Sequence, residues 1–95
     1  MENATVTEPG SVLVEFFGIP RDRARCAELA VPAGSLGEIL AEVEQRCPRL
    51  TGLFLAGRLA PQYLFSLDGQ QFLTDPRVPL EPGCRLLILS ADVGG

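Results

Sequence analysis

The chain has 95 residues and a net charge of −4, and these values limit the functions open to it. Its length suits one small domain, and its 46% apolar and 21% charged residues are typical of a globular protein. The acidic balance argues against nucleic acid as a partner, because nucleic-acid binding draws most of its affinity from a basic surface.

The first ten residues are polar and lack the basic and apolar parts of a secretory leader. No apolar run approaches the roughly 20 residues of a membrane span. We therefore expect a cytoplasmic protein with no membrane partner, in which residues 1–10 form a flexible N-terminal lead. Its three cysteines, Cys26, Cys47 and Cys84, lack C-x-x-C spacing, which favours reduced thiols that pack as small hydrophobes.

The first elements along the chain predict an antiparallel hairpin. Residues 12–17 are β-branched and aromatic, which is typical of a strand. Residues 18–22 predict a turn, and residues 25–31 predict the return strand. The residues expected on its inner face are Ala27, Leu29 and Val31.

A helix is the clearest element of the sequence. Ser35 and Glu38 have the spacing of a capping box, in which each side chain accepts a hydrogen bond from a free amide of the first turn. Pro48 should stop the helix. An apolar stripe follows helical spacing and must be buried, and its members are Leu36, Ile39, Leu40, Val43 and Cys47.

In the second half of the chain, one segment has an ambiguous pattern and the segments after it have clear strand and turn patterns. Residues 49–62 are compatible with a short second helix or with a packed loop. Tyr63–Leu67 predicts a strand, Asp68-Gly69 a tight turn, and residues 70–74 a short return strand. Residues 85–91 are apolar on both faces, which places this last strand inside a sheet.

The order of elements predicts an α+β fold with one domain over residues 11–91. A helix that joins two halves of a sheet brings the first and last strands together as parallel central neighbours and lies across one face. That arrangement is the β-grasp, or ubiquitin-like, fold. Residues 92–95 would follow the domain as a flexible tail.

The tail ends in Gly94-Gly95, directly after the last predicted strand. Glycines contribute nothing to a core and lack a Cβ, so the α-carboxylate of Gly95 could enter a narrow channel in another protein. Four extended residues reach about 13 Å. This geometry makes the Gly95 carboxylate the candidate reactive group.

Several features together resemble a known family over residues 11–95. They are the first strand, the helix led by Ser35, the Asp68-Gly69 turn, the segment 75–83, and a buried strand followed by Gly-Gly. They resemble the ubiquitin-like sulfur carriers, namely the molybdopterin synthase small subunit (MoaD) and the thiamine-pathway carrier (ThiS), with MoaD the more similar. In that family the turn before the last strand often ends in Gly-Asp, whereas here Gly83 is followed by Cys84.

The resemblance implies a cycle for Gly95. A ubiquitin-activating-like adenylyltransferase would use ATP to adenylate its carboxylate, and sulfur from a persulfide donor enzyme would then replace AMP to give a thiocarboxylate. The carrier would pass this sulfur to a synthase large subunit or another acceptor, in molybdopterin synthesis before other pathways. It would bind no cofactor and would not itself be an enzyme. The alternatives are a carrier for thiamine or another sulfur-containing metabolite, and a ubiquitin-like modifier conjugated through Gly95.

Candidate partner-binding residues lie in the tail and in one apolar segment. They are Asp92, Val93, Gly94, Gly95, Phe54 and Leu59, of which the last two have core packing as their alternative. Cys84 could be a reactive thiol or a buried turn residue. The chain has no histidine and no metal-ligand spacing, so we expect neither histidine acid–base catalysis nor a metal site. A plain binding module, in which the surface acts and the tail is incidental, is a third hypothesis.

Overall fold

The computed structural model describes residues 10–91 of the chain. Residues 1–9 and 92–95, which include most of the predicted lead and the whole predicted tail, lie outside the described range. The elements in chain order are β1 (Ser11–Phe16), α1 (Ile19–Ala24), β2 (Glu28–Pro32), β3 (Gly34–Ser35), α2 (Leu36–Arg46), β4 (Phe54–Leu55), β5 (Arg58–Leu59), β6 (Tyr63–Leu67), β7 (Gln71–Phe72), β8 (Pro79–Leu80) and β9 (Arg85–Ser90).

A five-stranded mixed sheet organises the molecule, with strand order β2-β1-β9-β6-β7. Strands β1 and β9 are parallel, and the other neighbours in this sheet are antiparallel. The predicted β-grasp fold is therefore confirmed, including the central parallel pair formed by the first and last strands of the sheet. Two further strand pairs, β3 with β8 and β4 with β5, lie outside this sheet.

Helix α2 forms as the sequence predicts. Glu38 donates its backbone N–H to the Ser35 hydroxyl oxygen at 3.2 Å, and its carboxylate accepts the Ser35 N–H at 3.0 Å. The helix ends at Arg46, two residues before Pro48. The whole predicted stripe is buried: Leu36, Ile39, Leu40, Val43 and Cys47.

The core lies between α2 and the inner face of the sheet. The central strands contribute Val12, Val14, Phe16, Leu86 and Ile88, each at most 1% exposed. Burying one such side chain is worth about 1.5–3 kcal/mol, so this layer supplies much of the driving force for folding.

The predicted first turn contains a helix instead. Residues 18–22 enter α1, where Asp22 donates its N–H to the carbonyl of Gly18 at 3.1 Å. Pro20 is tolerated because it lies at the start of the helix, where its missing N–H has no partner to lose. Arg25 ends the helix in the left-handed conformation, so β2 begins only at Glu28 and the expected inner-face residue Ala27 is exposed.

Residues 49–62 were predicted to form a short helix or a packed loop, and the structure has a two-stranded hairpin there instead. They contain the hairpin of β4 and β5, whose two turn residues Ala56 and Gly57 both have positive φ. The Glu44 carboxylate on α2 accepts the N–H groups of Leu53 and Phe54 at 2.6 and 3.1 Å, which ties the hairpin to the helix.

Candidate functional site

The strand that leads to the predicted tail is the middle strand of the sheet. β9 lies between β1 and β6 and ends at Ser90. The next residue, Ala91, still donates its N–H to the carbonyl of Gln62 at 2.9 Å. The backbone is therefore held by hydrogen bonds up to the last described residue. The predicted site residues Asp92, Val93, Gly94 and Gly95 lie outside the described range, and their role stays a prediction.

Helix α1 lies beside the end of β9. Arg23 on α1 donates from Nη1 to the Tyr63 hydroxyl on β6 at 3.1 Å, and Tyr63 is the register partner of Ser90. This contact joins elements on both sides of the strand that leads to the tail. Two large apolar side chains are exposed here, Phe17 at 42% and Ile19 at 46%.

The face of the sheet opposite α2 is apolar and only partly covered. We call it the outer face. The register places Leu64 beside Leu89, and Ser66 between Leu87 and Phe72. Phe72 is 64% exposed, and the other apolar members are half-buried. The outer face comprises Leu13, Leu64, Phe72, Leu87 and Leu89.

Charged groups of the outer face lie at the start of β9 and on its β1–β2 side. Arg85, at the start of β9, donates from Nη2 to both carboxylate oxygens of Glu15 at 2.9 and 2.7 Å. The Arg85 side chain is 57% exposed, so the pair is worth at most about 1 kcal/mol. Leu89 and its partner Leu64 lie nearest the end of β9. The outer face is therefore apolar on the β9–β6 side near the end of β9, whereas Arg21 and Glu28 lie beside Phe17 on the β1–β2 side.

Phe54 and Leu59, the predicted patch residues, are half-buried partners in the β4–β5 hairpin. The Phe54 ring packs so closely on Gly37 that a Cβ there would lie 2.9 Å from Cζ. Leu59 packs against the core, whereas Leu55 at the hairpin tip is 74% exposed. Both residues thus have a packing role, and their binding of a partner stays a prediction.

An open cleft of about 800 Å³ lies between the start of α2 and the segment 75–77. Both of its lining carboxylates are engaged, Glu38 with the Ser35 N–H and Asp75 with Arg77. Hydrogen bonds from Arg77 hold the pKa of Asp75 below its usual value, so this carboxylate is a poor proton acceptor near neutral pH. Both carboxylates of the cleft therefore already accept hydrogen bonds from other groups of the protein.

Cys84 is a half-buried turn residue ahead of β9. Its N–H donates to the carbonyl of Glu81 at 3.1 Å, and its own carbonyl accepts the Leu13 N–H at 3.0 Å. These are backbone contacts, so they explain its position without deciding the role of its thiol.

Within residues 10–91, the acidic and cysteine side chains form no group of three that could hold a metal ion. In the same range neither helix is long and apolar enough to cross a membrane.

Sequence reasoning missed the outer face and the α1 contact. The signal for the outer face is the alternation in β9, where Leu87 and Leu89 face away from Leu86 and Ile88. Apolar residues on both faces indicate an interior strand, but they do not reveal that only one face is covered.

No protein-family model matches the chain, and no curated protein matches it in sequence. Several solved structures, however, are similar to this chain in fold. Small archaeal modifier protein 1 from Methanosarcina acetivorans has a TM-score of 0.76 and 20% identity, with 93% of this chain and 99% of that chain covered. The protein of the same name from Haloferax volcanii has a TM-score of 0.76 and 19% identity, covering 90% and 100%.

A Pyrococcus furiosus protein assigned as molybdopterin converting factor, subunit 1, is also similar. Its TM-score is 0.68 at 15% identity, with 84% of this chain and 95% of that chain covered. At these identities the likeness shows a shared fold. It extends over nearly the full length of each relative.

Proposed function

We propose that this chain is a ubiquitin-like sulfur carrier and that its reactive group is the α-carboxylate of Gly95. The observation that carries the proposal is the course of β9. This central strand is hydrogen-bonded through Ala91, and Gly94-Gly95 follow within four residues. The shared fold with small modifier proteins and with a protein assigned as a molybdopterin converting factor subunit supports the same function.

The proposed chemistry takes place in partner enzymes. The Gly95 carboxylate attacks the α-phosphate of ATP, which releases pyrophosphate and leaves an acyl adenylate. A persulfide sulfur then displaces AMP to form an acyl disulfide, and a thiol cleaves the sulfur–sulfur bond and is itself oxidised to a disulfide. The thiocarboxylate is left on Gly95. The carrier supplies a slender electrophile, and it needs no acid, base or metal of its own.

The activating enzyme is the proposed occupant of the outer face. Leu87 and Leu89 lie on the strand that continues into the tail, so a protein that covers them is well placed to receive Gly95. The exposed Phe17 and Ile19 extend this apolar surface around the same end of the sheet. An apolar centre with a more polar rim is the usual composition of such an interface.

Molybdopterin synthesis is the pathway we propose for the sulfur. The name of the Pyrococcus furiosus relative supports it, as does the sequence resemblance to the synthase small subunit. In this pathway the tail would enter a synthase large subunit, which acts as the sulfur acceptor.

Modification of other proteins is the second candidate function, and the name small archaeal modifier protein 1, which the Methanosarcina and Haloferax structures share, favours it. An amine of a target lysine would then attack activated Gly95 and form an isopeptide bond. The eight basic residues of this chain are all arginines, so it could not build polymers on its own lysines. Adducts that resist reducing gels would favour modification, whereas their absence alongside a thiocarboxylate would favour sulfur transfer.

Activation of Gly95 can be tested by ATP–pyrophosphate exchange. The assay uses the adenylyltransferase of the source organism, first shown to be active on another carrier. We expect exchange to depend on this chain and to fall about 100-fold or more when Gly95 is deleted, because the attacking carboxylate moves back by one residue. A chain shortened by two residues at its N-terminus is the matched control and should retain exchange. Undiminished exchange without Gly95 would contradict its assignment as the reactive group, and exchange that does not depend on this chain at all would favour a binding module.

A further inference from the structure

Strand β2 is the longer of the two edges of the five-stranded sheet. It has five residues, Glu28–Pro32, whereas the opposite edge strand β7 has two, Gln71–Phe72. An edge strand presents N–H and C=O groups along its outer side, so a strand of another molecule can add to it. The edge formed by β2 is therefore the place where another chain could extend this sheet.

The neighbouring strand β1 shows which backbone groups of β2 point outward. Leu13 donates its N–H to the segment just before β9 at 3.0 Å, and the Ser11 carbonyl accepts an N–H from the same segment at 2.8 Å. Both residues therefore direct their backbone groups away from β2. Their register partners are Ala30 and Pro32, and in an antiparallel pair such partners point their own backbone groups away as well. Ala30 and Pro32 thus face the open edge.

The Ala30 carbonyl at this edge already has a partner. Arg46, in the last turn of α2, donates to it from Nη1 at 3.0 Å. The guanidinium is held there by Glu42, whose carboxylate accepts a hydrogen bond from Arg46 Nε at 2.9 Å. The Arg46 side chain therefore occupies the position where an added strand would have to place its own N–H group.

Pro32 removes another bonding group from the same side of β2. Proline has no backbone N–H, so it cannot donate to an added strand, and within sheets it is largely confined to edges. One acceptor and one donor are thus withheld at the two outward positions Ala30 and Pro32. Both changes act on backbone pairing and leave the buried face of the strand unaltered.

The order of residues in β2 suits pairing with a second copy. In an antiparallel pair centred on Ala30, the two Ala30 residues would lie opposite each other, and each would both donate and accept a hydrogen bond. Leu29 of one copy would lie beside Val31 of the other, which is a favourable cross-strand combination. We propose that β2 is a self-association surface on which two copies pair about Ala30, and that Arg46 and Pro32 block this pairing in the native protein.

Sedimentation equilibrium of the whole chain tests the proposal. Pro32→Thr/Arg46→Ala unblocks both positions. Pro32→Thr/Arg58→Ala is the matched control, because it has the same change in β2 and the same loss of charge but keeps Arg46; Arg58 is exposed and lies on β5, outside the five-stranded sheet. Across micromolar to millimolar concentrations, we expect the average mass of the first variant to rise from that of one chain towards that of two. The wild type and the control should keep the mass of one chain.

Amide hydrogen exchange identifies the surface that pairs. The Ala30 N–H faces the edge, so its exchange should slow about 10-fold or more when the first variant dimerises. Unchanged exchange at Ala30 in the dimer, a first variant that stays monomeric, a wild type that dimerises, or a control that dimerises equally would each overturn the proposal.

Arg46→Ala alone decides the question where the double variant folds poorly. The Arg46–Glu42 pair is exposed, so its loss should leave the fold intact, which circular dichroism checks. This single variant should begin to dimerise at the upper concentrations, and a constant mass of one chain would contradict the proposal. The proposal concerns the sheet edge alone and does not depend on activation of Gly95.

Discussion

Gly37 lies in the first turn of α2, under the ring of Phe54. A Cβ at this position would approach Phe54 Cζ to 2.9 Å and Cε2 to 3.0 Å. Glycine is ordinarily unfavourable inside a helix, by up to about 1 kcal/mol relative to alanine. Here the missing side chain lets the β4–β5 hairpin lie close to the helix, and the sequence pattern gave no sign of this pairing.

The contact predicts opposite effects of one substitution in two backgrounds. Gly37→Ala should lower the free energy of unfolding by about 1 kcal/mol in the wild type, because the ring must move. In a Phe54→Ala background the same change should raise it by about 0.5–1 kcal/mol, since only the helix preference remains. Urea denaturation of the four proteins measures both effects. The same sign in both backgrounds would show that Phe54 does not pack on Gly37 as described.

At the scale of elements, the two faces of β9 differ in burial. Leu86 and Ile88 are buried under α2, whereas Leu87 and Leu89 are half-buried on the outer face. A charge on the outer face should therefore disturb partner binding more than folding.

Leu89→Glu tests this division. We expect the KM of the activating enzyme for the carrier to rise about 10-fold or more, because a carboxylate would be buried against an apolar surface. The melting temperature should change little, since Leu89 is not part of the core. Leu55→Glu is the matched control, because Leu55 is more exposed and lies on the β4–β5 hairpin. Equal effects of the two variants on KM would refute the outer face as the docking surface.

Elements with a strong periodic signal could be predicted from the sequence. The capped helix α2, the strand β6 and the interior position of β9 all follow from apolar spacing and turn residues. Helix α1 could not, because six residues with only Pro20 and Ala24 buried carry no stripe, and Gly18 and Pro20 also mark turns. The Pro20 and Asp22 of its first turn were the available signal.

The β4–β5 hairpin was missed for a related reason. Its turn is Ala56-Gly57, and alanine seldom adopts the positive φ of 55° found here. Asn-Gly or Asp-Gly would have signalled the turn, as Asp68-Gly69 does between β6 and β7. The role of Gly95 stays a prediction from the sequence, whereas the outer face could not be predicted because it depends on which apolar faces remain uncovered in three dimensions.

At the scale of the whole molecule, we propose that the sheet serves as a rigid base for the Gly95 carboxylate. The parallel pair β1–β9 places the end of β9 at the centre of the sheet, and α1 lies beside this strand. The covered face gives stability, and the partly uncovered face is available for a partner. In the proposed function, this separation would let one small domain present the Gly95 carboxylate to successive enzymes.

The central claim is that Gly95 becomes a thiocarboxylate, and intact-mass spectrometry tests it most directly. The chain is incubated with the adenylyltransferase of the source organism, ATP and a persulfide donor enzyme, and its mass is followed, with the Gly95 deletion as control. Replacement of one oxygen by sulfur should add about 16 Da, confined to the C-terminal peptide and absent from the control. An unchanged mass, with an adenylyltransferase and donor that convert another carrier in the same mixture, would contradict the account.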